Sequence, residues 1–179
     1  MPCKSTALDT WTVSGSISSS YGLLYDQHCA INSVPEIIIT GSCDPYNDPC
    51  LNAPTSTIYT GDGVIFAELP PIPVALTHTC VVALDDNDLF VTGGSYVYSD
   101  SVYTDYSDKS YLYHSDTKEW EELPGLLTTR DYHMCARVHN SNGEEEVIVA
   151  GGYSCGPEDC DFLDLVDIYN IQSREWRKG

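Results

Sequence analysis

The stretch DLFVTGGSYVY (residues 88–98) sets a short apolar run against a pair of glycines and then a polar, tyrosine-rich tail. Fifty-eight residues further on the chain writes EVIVAGGYSC (146–155), and fifty-two residues earlier EIIITGSCDP (36–45), counted on the first glycine of each. An apolar run of this length without alternation reads as a strand covered on both faces. Glycine directly after a strand marks a positive φ or a place where other backbone passes close. Three such copies in one chain indicate a repeated structural unit.

Other features fall into line with the glycines. His28, His78 and His133 precede them by 13, 15 and 18 residues, and Tyr59, Tyr113 and Tyr169 each stand seven residues before Phe66, Trp120 and Trp176. Two copies share Glu-Leu-Pro, at 68–70 and 122–124, and the period measured on the Tyr and Trp positions is 54 to 56 residues. The middle copy predicts four short strands, over 77–84, 89–94, 109–115 and 119–124. The Asx-rich segment 85–88 and the segment 116–118 supply turns, and Asn142-Gly143 is the matching turn signal one copy later. The expected fold class is therefore all-β. A four-stranded unit of this size cannot bury both faces alone, so such units stack. Tyr and Trp are the large wedges between them, each able to bury roughly 150–250 Å².

The order Arg-x-x-His, strand, Gly-Gly, Tyr, Trp resembles the kelch family. Its clearest copies are His78-Gly93-Gly94-Tyr113-Trp120 and Arg130-His133-Gly151-Gly152-Tyr169-Trp176. The first copy departs from it, with Gly41-Ser42 for the double glycine, Phe66 for Trp and Ala75 where Arg130 stands one copy later. The resemblance implies a kelch-type β-propeller of about three four-stranded antiparallel blades, arranged as an open arc and belonging to a longer propeller. Its parts are 1–25 (the tail strand of a preceding blade, with Trp11, and a linker), 26–75, 76–130 and 131–179. The alternative is a short protein that completes a ring with another copy.

Charge narrows the partners. The 179 residues carry 27 acidic and 8 basic side chains, a formal net charge of −19. Such a polyanion is repelled by nucleic acid and anionic membrane and is better matched to a basic protein. No apolar run approaches the roughly 18 residues that span a bilayer. The opening MPCKSTALDT lacks the apolar core of a secretion signal.

Eight cysteines form two groups. Cys29, Cys80 and Cys135 follow the repeated His by one or two residues and read as buried thiols on the first strand of each unit. Cys43 with Cys50 and Cys155 with Cys160 close short Pro- and Asp-rich loops after the glycines and read as local disulfides. That pairing favours an extracellular, oxidising setting, with a cytoplasmic protein bearing free thiols as the alternative. Cys3 has no assigned partner. The spacing Cys155–Cys160 stands near zinc-finger spacing, but no second Cys or His pair completes a zinc site.

No catalytic, cofactor-binding or metal-binding residue is expected. The glycine pairs lead into polar loops rather than helices, unlike phosphate-binding loops, and no Gly-x-Ser-x-Gly occurs. The acidic loops 99–109 and 155–164 do not match a calcium-loop spacing. What remains is surface. The loop after Gly93-Gly94 is rich in tyrosine and aspartate, and Tyr offers large contact area at low entropy cost. The expected partner-binding residues are Tyr96, Tyr98, Tyr103 and Tyr106 with their flanking aspartates, and Arg130; the alternatives are that several of the tyrosines pack between blades and that Arg130 bonds to loop carbonyls. The function expected is a non-catalytic protein-interaction module that binds through loops on one rim. The alternatives are part of a galactose-oxidase-like propeller enzyme, whose catalytic residues would lie elsewhere, and a secreted glycan-binding scaffold.

Overall fold

The computed structural model describes the backbone of four strands between residues 24 and 68, and residues 69–179 with their side chains except 75, 87, 97–104 and 157–158, with residue 77 described by its backbone alone. The described residues contain strands and no helix. Three four-stranded antiparallel sheets follow one another along the chain. The first is β1 (Leu24–Ile31), β2 (Ile37–Cys43), β3 (Thr57–Gly61) and β4 (Phe66–Glu68). After the short β5 (Leu76–Thr77), the second comprises β6 (Cys80–Ala83), β7 (Leu89–Thr92), β9 (Ser110–His114) and β10 (Glu119–Leu123), with β8 (Ser95–Tyr96) pairing back to β5. The third is β11 (Met134–His139), β12 (Glu145–Ala150), β15 (Val166–Asn170) and β16 (Glu175–Lys178). A hairpin of β13 (Tyr153–Cys155) and β14 (Cys160–Phe162) stands between β12 and β15. In each sheet the strands neighbour in chain order, and β6 lies against both β1 and β11, so the first strands stand side by side.

The second and third sheets stack face to face because the three inner strands of the second sheet, β6, β7 and β9, are buried on both sides. One row, Val81, Val91 and Tyr111, with Ala83, Leu89 and Tyr113, packs with Ile72 and Leu76 of the connecting segment. The opposite row, Val82, Phe90 and Leu112, meets Val147, Val149 and Tyr169 of the third sheet. Burying a Val, Leu or Phe of this kind contributes about 1.5–3 kcal/mol.

Trp120 and Trp176 occupy matching places. Each lies opposite its repeat tyrosine, Trp120 against Tyr113 with ring centroids 5.2 Å apart and Trp176 against Tyr169 at 5.0 Å. Each indole Nε1 donates to a proline carbonyl of the preceding unit, Pro70 O and Pro124 O, both at 2.8 Å. Those prolines end the two Glu-Leu-Pro sequences, so the short motif supplies the acceptor that holds the next unit's indole. The two hairpins that present the Trp residues also match, with Lys118 and Arg174 both left-handed at φ 64° and 62°.

The glycine pairs are explained by what passes over them. Segment 130–133 runs from the second sheet to the third between the two pairs. Gly94 N donates to Arg130 O at 2.8 Å, and a Cβ on Gly93 would stand 2.4 Å from the His133 ring. A Cβ on Gly152 would stand 2.5 Å from Asp131 O, and both Gly93 and Gly152 have positive φ. Only glycine fits, on grounds of both space and dihedral.

Three expectations need correction. The repeated histidines are not equivalent. By backbone, His78 at φ 53° matches Tyr132 at φ 50°, while His133 follows that kink by one residue. His28 lies within β1 opposite Thr40, in the register of Cys80 opposite Thr92 and Met134 opposite Ala150. The kink also splits the single strand expected over 77–84 into β5 and β6. Second, Cys80 and Cys135 are not buried thiols; they form a disulfide with Cα atoms 6.0 Å apart. Cys80 pairs with Thr92, whereas Cys135 pairs with Val149, the counterpart of Val91, so the two differ by one position. One residue along a strand reverses the face, which turns Cys80 toward the third sheet and Cys135 back toward the second. Third, in the first sheet Gly61 stands opposite Ile37, where the later sheets have Tyr113 opposite Leu89 and Tyr169 opposite Val147. Tyr59 pairs instead with Ile39 and Glu68, so it is not the counterpart of the later Tyr residues, whereas Phe66, opposite Gly61, keeps the register of Trp120 opposite Tyr113 and Trp176 opposite Tyr169. Gly41 does follow the second strand's apolar run, inside β2. The tail strand expected at 8–13 and the Cys43–Cys50 pair lie outside the residues described with side chains.

Candidate interaction rim

The glycine-pair end of the second and third sheets carries the segments that the sequence singled out. β8 follows Gly93-Gly94, and Tyr106 bridges back to Ser95. Tyr96 packs against the core between the first two sheets, leaving it half-buried. Tyr106 is also half-buried, its ring 5.9 Å from that of Tyr153. Burial, then the nearby Asp131 carboxylate, push the Tyr106 phenol above its ordinary value. Tyr98 and Tyr103 lie outside the described residues.

The third sheet's glycine pair leads into the β13–β14 hairpin, closed by the Cys155–Cys160 disulfide where those two residues face each other. The expected loop disulfide therefore clamps a hairpin. It holds out Phe162, which is 82% exposed, against Tyr153 with ring centroids 5.2 Å apart. Tyr132, 63% exposed, stands nearby with its ring 4.0 Å from His78. Tyr132, Gly152, Tyr153 and Phe162 line a groove of about 420 Å³. Sequence reasoning pointed to the tyrosines after the second sheet and missed Tyr132 and Phe162. The left-handed backbone that presents Tyr132 leaves no residue-level signal. Residues 151–165 contain Glu158, Asp159, Asp161 and Asp164 and no Lys or Arg, so the hairpin is uniformly acidic.

Arg130 does not face a partner. Its side chain is fully buried, with Nη2 donating to Asp167 Oδ2 at 2.7 Å and Nη1 to Gly151 O and Leu165 O at 3.0 and 3.1 Å. Burial lowers its pKa and Asp167 opposes the shift. Asp167 also receives Lys178 Nζ on Oδ1 at 3.0 Å. The guanidinium thus ties the linker to the carbonyls around the third glycine pair, and Asp131 holds the other side by accepting Ser95 Oγ at 2.7 Å.

Two further polar clusters lie between the second and third sheets, and neither was legible from spacing. Asp85, His139 and Glu145 come together, with His139 Nε2 2.7 Å from Asp85 Oδ2. Arg137 lies in the same cluster, 2.5 Å from Asp85 and 3.7 Å from Glu145, so a base of the chain itself meets these carboxylates. In the second cluster His114 lies between Asp88 and Glu121, 3.0 Å from each, and Glu121 continues to Arg174 of the third sheet at 2.6 Å.

The Glu121 hydrogen bond, and then Asp88, raise the His114 pKa. A group whose folded pKa is raised contributes stability that is complete below its unfolded value, about 6.5, and disappears as pH climbs through the folded value. Urea midpoints should accordingly decline as pH rises from about 6.5 through the raised value, and His114→Gln should flatten that decline. An identical slope in the variant would rule the cluster out as its source.

No protein-family model matches the chain, and no curated protein does. Among solved structures, the structure of YjhT matches with a TM-score of 0.64 at 16% sequence identity, over 87% of this chain and 51% of that one. The chain spans about half the length of that structure, and the likeness is one of fold.

Proposed function

We propose that the chain is a kelch-type propeller segment, its three sheets acting as blades of an open arc, and that it serves as a non-catalytic protein-interaction module. Side-by-side first strands, matched Trp settings and the fold likeness to YjhT support the blade reading. The observation that carries the function is the disulfide-clamped hairpin that holds the Phe162 ring almost entirely in solvent beside exposed Tyr132. Large rings held rigidly in a shallow groove, with charged neighbours at the rim, have the composition of an interface centre. The acidic hairpin favours a basic partner, and the two disulfides are compatible with an extracellular setting.

Phe162→Ala is expected to weaken partner binding by about 2 kcal/mol, roughly thirtyfold, as for a central aromatic anchor. Affinity capture from extracellular fluid with the native chain and with Phe162→Ala, followed by titration of the captured protein, measures this. Equal capture by both would exclude the rim.

A further inference from the structure

We propose that Asp85, His139 and Glu145 form a zinc site that ties the second sheet to the third, at the end of their first strands remote from the glycine pairs. The site is independent of the interaction rim, which lies at the opposite end of the same strands.

The three side chains arrive from two sheets. Asp85 stands in the turn after β6, while His139 and Glu145 face each other where β11 ends and β12 begins. One donor atom from each lies within 4.8 Å of the others. Donors bound at about 2.1 Å to one tetrahedral zinc stand about 3.4 Å apart. His139 Nε2 is now 2.7 Å from Asp85 Oδ2, and both side chains are about half-exposed, so a small opening of that contact moves only solvent-facing groups. Each carboxylate keeps one oxygen for the ion. Arg137 holds Asp85 through Oδ1 at 2.5 Å, which leaves Oδ2 toward the imidazole. The Asp85 backbone N–H holds Glu145 through Oε1 at 2.9 Å, and Glu145 Oε2 accepts no hydrogen bond among the described residues. Metal-ligating carboxylates are oriented in this way, by hydrogen bonds from neighbours that do not touch the ion.

Glu145 gives a separate reason for a cation. It is only 9% exposed, burial pushes its carboxyl above the ordinary value, and Arg137 Nη1 stays 3.7 Å from its Oε1. A buried carboxylate with an unbonded oxygen and no cation in contact is costly, and a metal ion at Oε2 removes that cost. The ligand types select the ion. An imidazole beside two carboxylates suits zinc, whereas calcium and magnesium take oxygen ligands. Water from the exposed side completes the tetrahedron. The placement gives the ion a structural role. The Cys80–Cys135 disulfide joins β6 to β11 near the start of both strands, and the zinc joins them past the end of β6. Asp85 is 54 residues from His139 and 60 from Glu145, so only the packed sheets present all three together.

The test is a calorimetric titration of the chelator-treated chain with zinc chloride. One ion per chain is expected. Zinc at a hundred times its Kd should raise the melting midpoint by roughly 5–10 °C, because only the folded chain offers the three ligands together. His139→Gln and Glu145→Gln should each weaken binding at least tenfold. His114→Gln, which removes the other imidazole between these two sheets, should leave it unchanged. NMR of the native chain labelled at histidine should put the largest zinc-induced change on His139 Nε2, a readout that needs no variant to fold. Binding without fixed stoichiometry, as of counterions around a chain of charge −19, would overturn the proposal. So would calcium binding as tight as zinc, zinc affinity unaltered in His139→Gln, or a histidine signal that moves elsewhere.

Discussion

Arg130→Ala should be the most damaging single substitution in the described residues. It strips a fully buried carboxylate, Asp167, of its guanidinium and leaves the carbonyls of Gly151 and Leu165 without their donor. Breaking one side of a buried ion pair costs about 3–5 kcal/mol. Single domains have only about 5–15 kcal/mol in total, so the midpoint of thermal unfolding should fall by roughly 10 °C or more. Lys178 reaches Asp167 from a half-exposed position and cannot replace the lost donors to the two carbonyls. Removing both charges is gentler in principle, because the desolvation cost disappears with them. Arg130→Met with Asp167→Leu should therefore be less destabilising than the sum of the two single changes, a coupling that a double-mutant cycle reads directly. A single variant that melts within about 2 °C of the native protein would mean that the pair is not what fixes the linker.

The second large effect concerns the bond between the first strands. Cys80 and Cys135 are 55 residues apart in sequence, and closing a loop of that length restricts the unfolded chain by about 4 kcal/mol on the loop-entropy account. The Cys155–Cys160 bond closes a far shorter loop, worth about 2 kcal/mol on the same account. Cys80 is buried and Cys160 exposed. Mild reductant should release the hairpin thiols first, with a fall in stability about half that of the second step, and then a second pair accompanied by the larger fall. Cys80→Ala with Cys135→Ala should reproduce the second step alone under oxidising conditions. Thiol counting against urea midpoints checks the order, and simultaneous release of both pairs would contradict it.

The fold was legible where periodicity carried it. Apolar runs ending at glycine, and the Tyr-to-Trp spacing, placed the second and third sheets closely. Both Trp residues lie in the like settings that the repeat demanded. The misreadings share one cause: alignment by residue type ignores register. His78 and His133 look equivalent in the sequence, yet the left-handed kink falls on His78 and Tyr132. Cys80 and Cys135 look equivalent too, but a one-residue difference puts them on opposed faces, which is what lets them bond. At the rim, the sequence left Arg130, the one basic residue at a connection, between facing a partner and bonding loop carbonyls. It turns inward because the carbonyls around Gly151 and the Asp167 carboxylate need a donor there. Phe162 gave no signal because an aromatic residue in a strand is usually core, and only the hairpin's position beyond the sheet leaves it in solvent.

Segment 130–133 has a practical consequence for anyone dividing this molecule. By sequence it looks like a seam, the natural place to trim an expression fragment or open new termini. In three dimensions it is threaded between two glycine pairs and anchored by a buried guanidinium, so a cut there would strip both halves of their fit. The tolerant site is the tip at 116–118, where Asp116, Thr117 and Lys118 all face water. The visible joint in the text of the protein is a keystone in the object.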